Sequence, residues 1–343
     1  MNLSVTRKLV QLAAFMFLVY GSTVVGFYAA DKLSGALPAL ACAYDGHTAD
    51  YCALIPFQHQ MDHRAGGVLT AGGSLLAAFL PSLITLATFL LLFVLLSKAF
   101  CGWVCPLGFF QEVLHMAGQK LGVRRYETLS AALVDRVRPL KWVILLALVF
   151  GLPLLTGLGV TSHALGSPYC SICPSRLLTT LAGGDTSQLV VDGSSAGYFI
   201  LSTIAVFLFG LMTAFGLFVR QPFCRICPML ALHAVFRKLG LVRLVKRAKP
   251  RCEKCGLCAK ACPMDIREIH TEMQKSDVVF ADCTLCGRCV EFCPDKDALK
   301  LQYATLPLFA SDPVYFKRRK QKQGRWEQAN LLAWWRQRRQ QEP

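Results

Sequence analysis

Charge is scarce in this chain. Only 17% of its 343 residues are Asp, Glu, Lys or Arg, against 54% hydrophobic, whereas soluble domains carry about 25% charged residues. That shortage excludes an ordinary water-soluble enzyme, and the wealth of apolar side chains excludes a disordered chain. Acidic residues are the scarcer sign, 21 against 37 basic, leaving a formal net charge of +16. No Cys-x2-Cys-His run occurs, which removes covalent c-type haem. No Gly-x-Gly-x-x-Gly follows a strand, which removes the dinucleotide-binding turn. Cysteine, by contrast, is plentiful at 16 residues, in a chain too long for a small disulfide scaffold. What remains is a membrane protein with a metal-rich attachment.

Four stretches, about 9–30, 74–96, 142–160 and 198–219, are apolar over the length needed to cross a membrane, roughly 20 helical residues for a hydrocarbon core of about 30 Å. The first is longer than the apolar run of a cleavable signal peptide and is expected to remain as an anchor. The loop 31–73 holds only Lys32 and Arg64, and 161–197 only Arg176. By contrast, 98–141 carries Lys98, Lys120, Arg124, Arg125, Arg136, Arg138 and Lys141, and everything after the fourth span is basic. The positive-inside rule then puts both termini in the cytoplasm, the spans in a bacterial inner membrane and the two sparse loops in the periplasm. Basic residues beside membrane ends suit an anionic lipid surface. With no recognition fold to accompany them, nucleic acid is not an expected partner.

The densest signal lies beyond the fourth span. Residues 252–263 read Cys-Glu-Lys-Cys-Gly-Leu-Cys-Ala-Lys-Ala-Cys-Pro, and residues 283–294 read Cys-Thr-Leu-Cys-Gly-Arg-Cys-Val-Glu-Phe-Cys-Pro. Each is the C-x2-C-x2-C-x3-C-P run of a bacterial two-cluster ferredoxin, whose fourth cysteine ligates the other cluster. Cys252, Cys255, Cys258 and Cys293 are therefore assigned to one [4Fe–4S] cluster, and Cys283, Cys286, Cys289 and Cys262 to a second. Structural zinc uses C-x2-C pairs parted by a longer spacer and suits this spacing poorly. The expected architecture is membrane α-helical: a four-helix transmembrane domain over 1–247, a small α+β two-cluster ferredoxin domain over 248–302, and a basic tail over 303–343. With little core of its own, the ferredoxin segment is expected to be held together by its clusters. The tail mixes Trp326, Trp334 and Trp335 with arginines, which suits a helix in the headgroup region or a solvated end.

Two further cysteine pairs sit at span ends. Cys101-Gly-Trp-Val-Cys105-Pro follows the second span and Cys224-Arg-Ile-Cys227-Pro the fourth. From the residues alone they are ligands of a third metal centre, a redox dithiol, or packing. The run from Cys101 to Glu112, Cys-Gly-Trp-Val-Cys-Pro-Leu-Gly-Phe-Phe-Gln-Glu, resembles the signature of the NapH/NosR-type membrane polyferredoxins. The second pair and both quartets follow in the same order. The resemblance covers the layout of roughly residues 75–300 and points to the short, NapH-like branch, since the large periplasmic flavin domain of the NosR branch has no counterpart. The two-residue gap of the second pair departs from the family's three. The resemblance implies a membrane electron carrier that accepts from quinol or passes electrons to periplasmic partners, as the quinol dehydrogenase component of a larger complex.

Cys170-Ser-Ile-Cys173-Pro, with Cys42 and Cys52, falls in the two periplasmic loops, on the far side from the ferredoxin. Disulfides and a periplasmic metal or redox centre both fit them, with His47, His59 and His63 as further ligands. Quinol oxidation releases protons, so Glu112, with His115 one turn on and His233 after Cys227, is the candidate quinone-site carboxylate. The expected function is electron transfer between the quinone pool, or a cytoplasmic donor, and a periplasmic oxidoreductase or its maturation system. A redox sensor or assembly factor and a periplasmic copper-trafficking protein are the alternatives. The bilayer core is too thick for one direct hop between its faces, so transfer across it requires a carrier inside the bundle, a quinone or a further cluster.

Overall fold

The computed structural model describes residues 3–25, 52–123, 128–247, 252 and 254–328. Cys42, His47 and the tail beyond 328 lie outside the described residues. In chain order the membrane part comprises α1 (Leu3–Val25), α2 (Leu54–His59), α3 (Leu75–Leu96), α4 (Pro106–Leu121), α5 (Ala131–Gly157), α6 (Pro168–Ile172), α7 (Pro174–Ala182), α8 (Ala196–Phe218) and α9 (Pro228–Val235). Four of these, α1, α3, α5 and α8, are long and apolar enough to cross a membrane.

Their outer faces are apolar: Leu75, Leu76, Leu83, Ile84 and Leu91 of α3 are exposed, as lipid contact requires. The buried stripe of α3 is Ala78, Ser82, Thr85, Phe89 and Phe93, the three- and four-residue spacing of one helix face. Ser74 and Ser195 cap α3 and α8, each accepting a backbone N–H three residues on. Within α5 the turns widen to a π-helix over Leu145–Gly151 just before Pro153. Proline's missing N–H and bulky ring make such a widened turn an economical accommodation.

Two expected boundaries move. The first span begins at Leu3, not residue 9, because Arg7 is neutralised by a buried ion pair with Glu112. The third begins at Ala131 instead of Trp142, because Arg138 and Lys141 turn to Asp282 of the cysteine-rich unit. The short helices fill the bundle. The residues of α9 from Pro228 to Ala234 are all buried, as are those of α2 from Leu54 to Gln58. Irregular backbone at this depth is tolerable only where protein surrounds it.

The cysteine-rich unit is larger than the expected 248–302. Its sheet pairs β1 (Val242–Lys246) with β2 (Leu299–Tyr303), and β2 with β3 (Leu306–Ala310), all antiparallel. Val242 stands opposite Tyr303, and Leu244 opposite Leu301. Both outer strands lie outside the expected range: β1 pairs with a partner remote in sequence, and β3 extends β2 as a hairpin just past residue 302. Short helices α10 (Leu257–Ala261) and α11 (Arg288–Glu291) carry the third cysteine of each quartet, Cys258 and Cys289, and α12 (Pro313–Gln328) is the last described element. The unit has an apolar core after all: Leu244, Ile266, Ile269, Val278, Leu285, Val290, Leu299 and Leu301 are buried together with Leu3 and Leu230 of the membrane part.

Three buried cations fasten the two parts. Lys98, wholly buried, donates to the carbonyl oxygens of Phe280 (3.0 Å) and Ala281. Lys141 pairs with Asp282, and Arg225 with Asp265 at 2.7 Å while also donating to the Pro263 carbonyl at 2.8 Å. A buried cation costs free energy unless paired and hydrogen-bonded, so these contacts define one relative placement of the two parts.

Candidate metal centres

The two quartets are built alike. Gly256 and Gly287 hold φ +75° at the N-caps of α10 and α11, a conformation that glycine adopts without steric cost. Lys254 and Leu285, each just before the second cysteine of its quartet, also take positive φ. Paired backbone strain of this kind concentrates at functional sites. Cys262, Cys283, Cys286 and Cys289 line one common void, so the fourth cysteine of the first run joins the first three of the second. Cys293 likewise lies within electrostatic reach of Cys258, and Cys258 of Cys252 and Cys255. The backbone N–H of Leu285 donates to Cys283 Sγ at 3.4 Å.

The donor set fits iron–sulfur clusters. Among the described residues, the one group of three metal-competent atoms lying within 4.8 Å of each other is Asp62, His63 and His163. Burial pushes the Cys283 thiol up to about 11, so loading it with metal displaces a proton.

The membrane-proximal pairs come together inside the bundle. Cys105 is the N-cap of α4 and Cys227 of α9, each with proline at the first helical position. Proline there sacrifices no hydrogen bond, and the cysteine sulfur faces the free N–H groups and positive dipole of the helix end. Cys105 accordingly accepts backbone hydrogen bonds from Leu107 and Gly108, and Cys227 from Met229 and Leu230. Cys101 lies in electrostatic reach of Cys105, Cys224 and Cys227. Its sulfur is 3.9 Å from His233 Nδ1, and burial holds that imidazole down to about 3, hence neutral.

This group abuts the second quartet. A Cβ on Gly102 would come within 2.4 Å of the Thr284 carbonyl and 3.0 Å of the Cys286 backbone, and Trp103 Nε1 donates to the Leu285 carbonyl at 3.0 Å. Lys98 lies in reach of both Cys101 and Cys283.

Gln111 escaped the sequence reading. Its amide donates to the Leu107 carbonyl (3.2 Å) and to Cys224 Sγ (3.4 Å), and its oxygen accepts the Phe223 N–H at 3.0 Å. The signal was a polar residue on the apolar, inward face of α4. Glu112, the candidate quinone-site carboxylate, lies next to it on α4. It is buried and ion-paired with Arg7, and Gln11 donates to it at 3.3 Å. Against the desolvation that pushes it up, the Arg7 guanidinium holds its carboxyl down to about 2. The pair ties α1 to α4.

The loop cysteines are not at a separate outer surface. Cys52, Cys170 and Cys173 pack in the same apolar cluster as Cys227. The loop between α5 and α8 turns inward there, burying Tyr169, Leu177 and Leu178. His63 and His163 instead join Asp62 and His59 on a cavity of about 540 Å³ that also reaches Arg176.

A 4Fe-4S binding domain family matches residues 78–124 and 200–251, which bracket Cys101, Cys105, Cys224 and Cys227, and a 4Fe-4S dicluster domain family matches 244–294, both quartets included. Spans, donor sets and these matches define a membrane-bound iron–sulfur electron-transfer protein. The ferredoxin-type protein NapH of Haemophilus influenzae is 30% identical over 237 residues, 66% of this chain and 72% of that protein. The putative electron transport protein YccM of Escherichia coli is 30% identical over 239 residues, 68% of this chain and 60% of that protein. The regulatory protein NosR of Pseudomonas aeruginosa is 30% identical over 199 residues, 58% of this chain but 24% of that longer protein. The chain belongs to the NapH/NosR-type membrane polyferredoxin family. No solved structure matches it.

Proposed function

We propose that this protein carries electrons between the quinone pool and a redox partner through a line of thiolate-held centres that runs from the bundle interior into the ferredoxin unit. The observation that carries the reading is the packing of Gly102 and Trp103 on the backbone of Thr284, Leu285 and Cys286, which sets the two cysteine groups side by side. Iron–sulfur clusters, when bound, supply one-electron carriers whose potentials respond to charge, hydrogen bonds and exposure.

The residues sort the centres by exposure. Cys255 is exposed, while Cys262, Cys283, Cys286 and Cys289 are buried, so the first quartet offers the edge at which a soluble partner docks and the second is shielded behind it. Cys101, Cys105, Cys224 and Cys227 would hold a third centre. Lys98 places a positive charge between that centre and the second quartet. Quinol is assigned to the cavity at the opposite end of the bundle, where His63 and Asp62 (3.5 Å apart) offer proton acceptors. With the basic loops inside, the ferredoxin unit and both termini are cytoplasmic and the cavity faces the periplasm. The partner there or in the cytoplasm is a redox protein.

Gly102→Val tests the line of transfer. Anaerobic protein reduced by a short-chain quinol, followed by rapid-freeze EPR, is expected to show the quartet clusters reduced more slowly in the variant with their spectra unchanged. Equal rates in variant and parent would overturn the route, and quartet clusters that quinol never reduces would overturn the assignment of donor.

A further inference from the structure

Two halves of the bundle interior repeat one another. After Cys105 come Leu107, Phe110 and Gln111; after Cys52 come Leu54, Phe57 and Gln58, at the same offsets. The hydrogen bonds repeat as well. Gln58 donates to the Leu54 carbonyl at 3.1 Å and to Cys170 Sγ at 2.8 Å, and its oxygen accepts the Tyr169 N–H at 3.1 Å. Gln111 makes the same three bonds to Leu107, Cys224 and Phe223. In both halves the accepted N–H belongs to the residue before a Cys-x2-Cys-Pro run, and the second cysteine of that run is the N-cap of the helix that follows, α7 in one half and α9 in the other. The first half enters from the loops away from the ferredoxin unit and the second from beside it, the arrangement of an inverted repeat with half-helix N-termini pointing inward.

We propose that Cys52, Cys170 and Cys173 hold a further iron–sulfur centre inside the bundle, the structural repeat of the site formed by Cys105, Cys224 and Cys227.

Gln58 is wholly buried. A neutral thiol is a weak acceptor, so an interior amide held by two backbone bonds and aimed at Cys170 is matched to a charged, metal-bound sulfur, for which such bonds are strong. The Tyr169 hydroxyl lies 3.8 Å from both Cys173 Sγ and Cys227 Sγ, at the point where the halves meet. Cys52 is within electrostatic reach of Cys170, Cys173 and Cys227, a three-segment gathering that a Cys170–Cys173 disulfide does not need. The residue four before Cys52, in the place of Cys101, is Thr48, so among the described residues this half offers three thiolates where the other offers four. The centre stands between the Cys101 group and the cavity that holds His59, Asp62 and His63, and supplies the intermediate carrier that a membrane-deep route requires. Its use rests on the electron-transfer reading; its ligand set does not.

The test counts iron and acid-labile sulfide per chain in anaerobically purified full-length protein, with EPR spectra recorded on the same samples. Cys170→Ser/Cys173→Ser is expected to lose one cluster's complement while the ferredoxin signals persist. Gln58→Leu keeps every thiolate, so iron is retained while the signal of this centre shifts and its midpoint potential falls, because a buried N–H donor to sulfur favours the reduced, more negative cluster. An unchanged iron count in the double variant, zinc lost in place of iron, a Cys170–Cys173 disulfide in peptide mapping, or a Gln58→Leu protein identical to the parent in spectrum and potential would each overturn the site. Failure of the route reads differently: full iron content with no reduction by quinol.

Discussion

The ferredoxin unit and the bundle interior use the same ligand and Cys-Pro chemistry but assemble it in opposite ways. In the unit, four thiolates come within eleven residues, and turns with positive φ at Lys254, Gly256, Leu285 and Gly287 wrap the chain around its metal. In the bundle, the sulfurs arrive singly or in pairs on segments far apart in sequence, and the ends of α4, α7 and α9 bring them together. Local spacing suffices for the first. The second depends on the lipid-facing helices that hold the short ones in place.

That contrast can be broken most sharply by removing ligands on each side. Cys283→Ser/Cys286→Ser is expected to abolish the second cluster and open the 254–298 region to limited proteolysis, since metal binding there is coupled to folding. Cys105→Ser/Cys227→Ser should lose its iron while helix content and protease resistance stay as they were. Loss of the bundle's resistance in that variant would show that both regions depend on metal alike.

A smaller effect is expected at the tie between α1 and α4. Glu112→Gln leaves Arg7 buried without its counter-charge and should lower unfolding stability in detergent by roughly 3–5 kcal/mol. The carboxyl sits at about 2, below its usual 4.5. Its contribution is therefore present above about pH 4.5 and lost as pH falls toward 2. The variant's acid denaturation curve should lack that limb. Next in size is Lys98→Met, which strands the Phe280 and Ala281 carbonyls at a cost of about 1–3 kcal/mol and shifts the potentials of the flanking centres downward by removing a positive charge. Smallest is Gln111→Leu, at about 0.5–1.5 kcal/mol, with a spectral change confined to the Cys224 site.

The quartets were legible because a cysteine run carries its own geometry. The bundle sites were not, for reasons that can be named. Counting Lys and Arg assigns a loop to one side of the membrane but says nothing about whether it dips back, and the loop holding Cys170 does so on Tyr169, Leu177 and Leu178. The ion pair of Glu112 was hidden because its partner, Arg7, is 105 residues away. The strands β1 and β3 were hidden because each pairs with β2, and only β2 overlaps the expected 248–302 range. One clue was present from the start: Leu, Phe and Gln recur at matching offsets after Cys52 and Cys105, a repeat too short to stand out without the hydrogen bonds that give it meaning.

The fastening by Lys98, Lys141 and Arg225 has a kinetic corollary. A ferredoxin head pinned at three buried points cannot act as a swinging arm, so the separations that electrons must tunnel across are set once, at folding. Solvent viscosity should leave the intramolecular leg untouched and slow only the arrival and departure of the soluble partner at the rim beside Cys255.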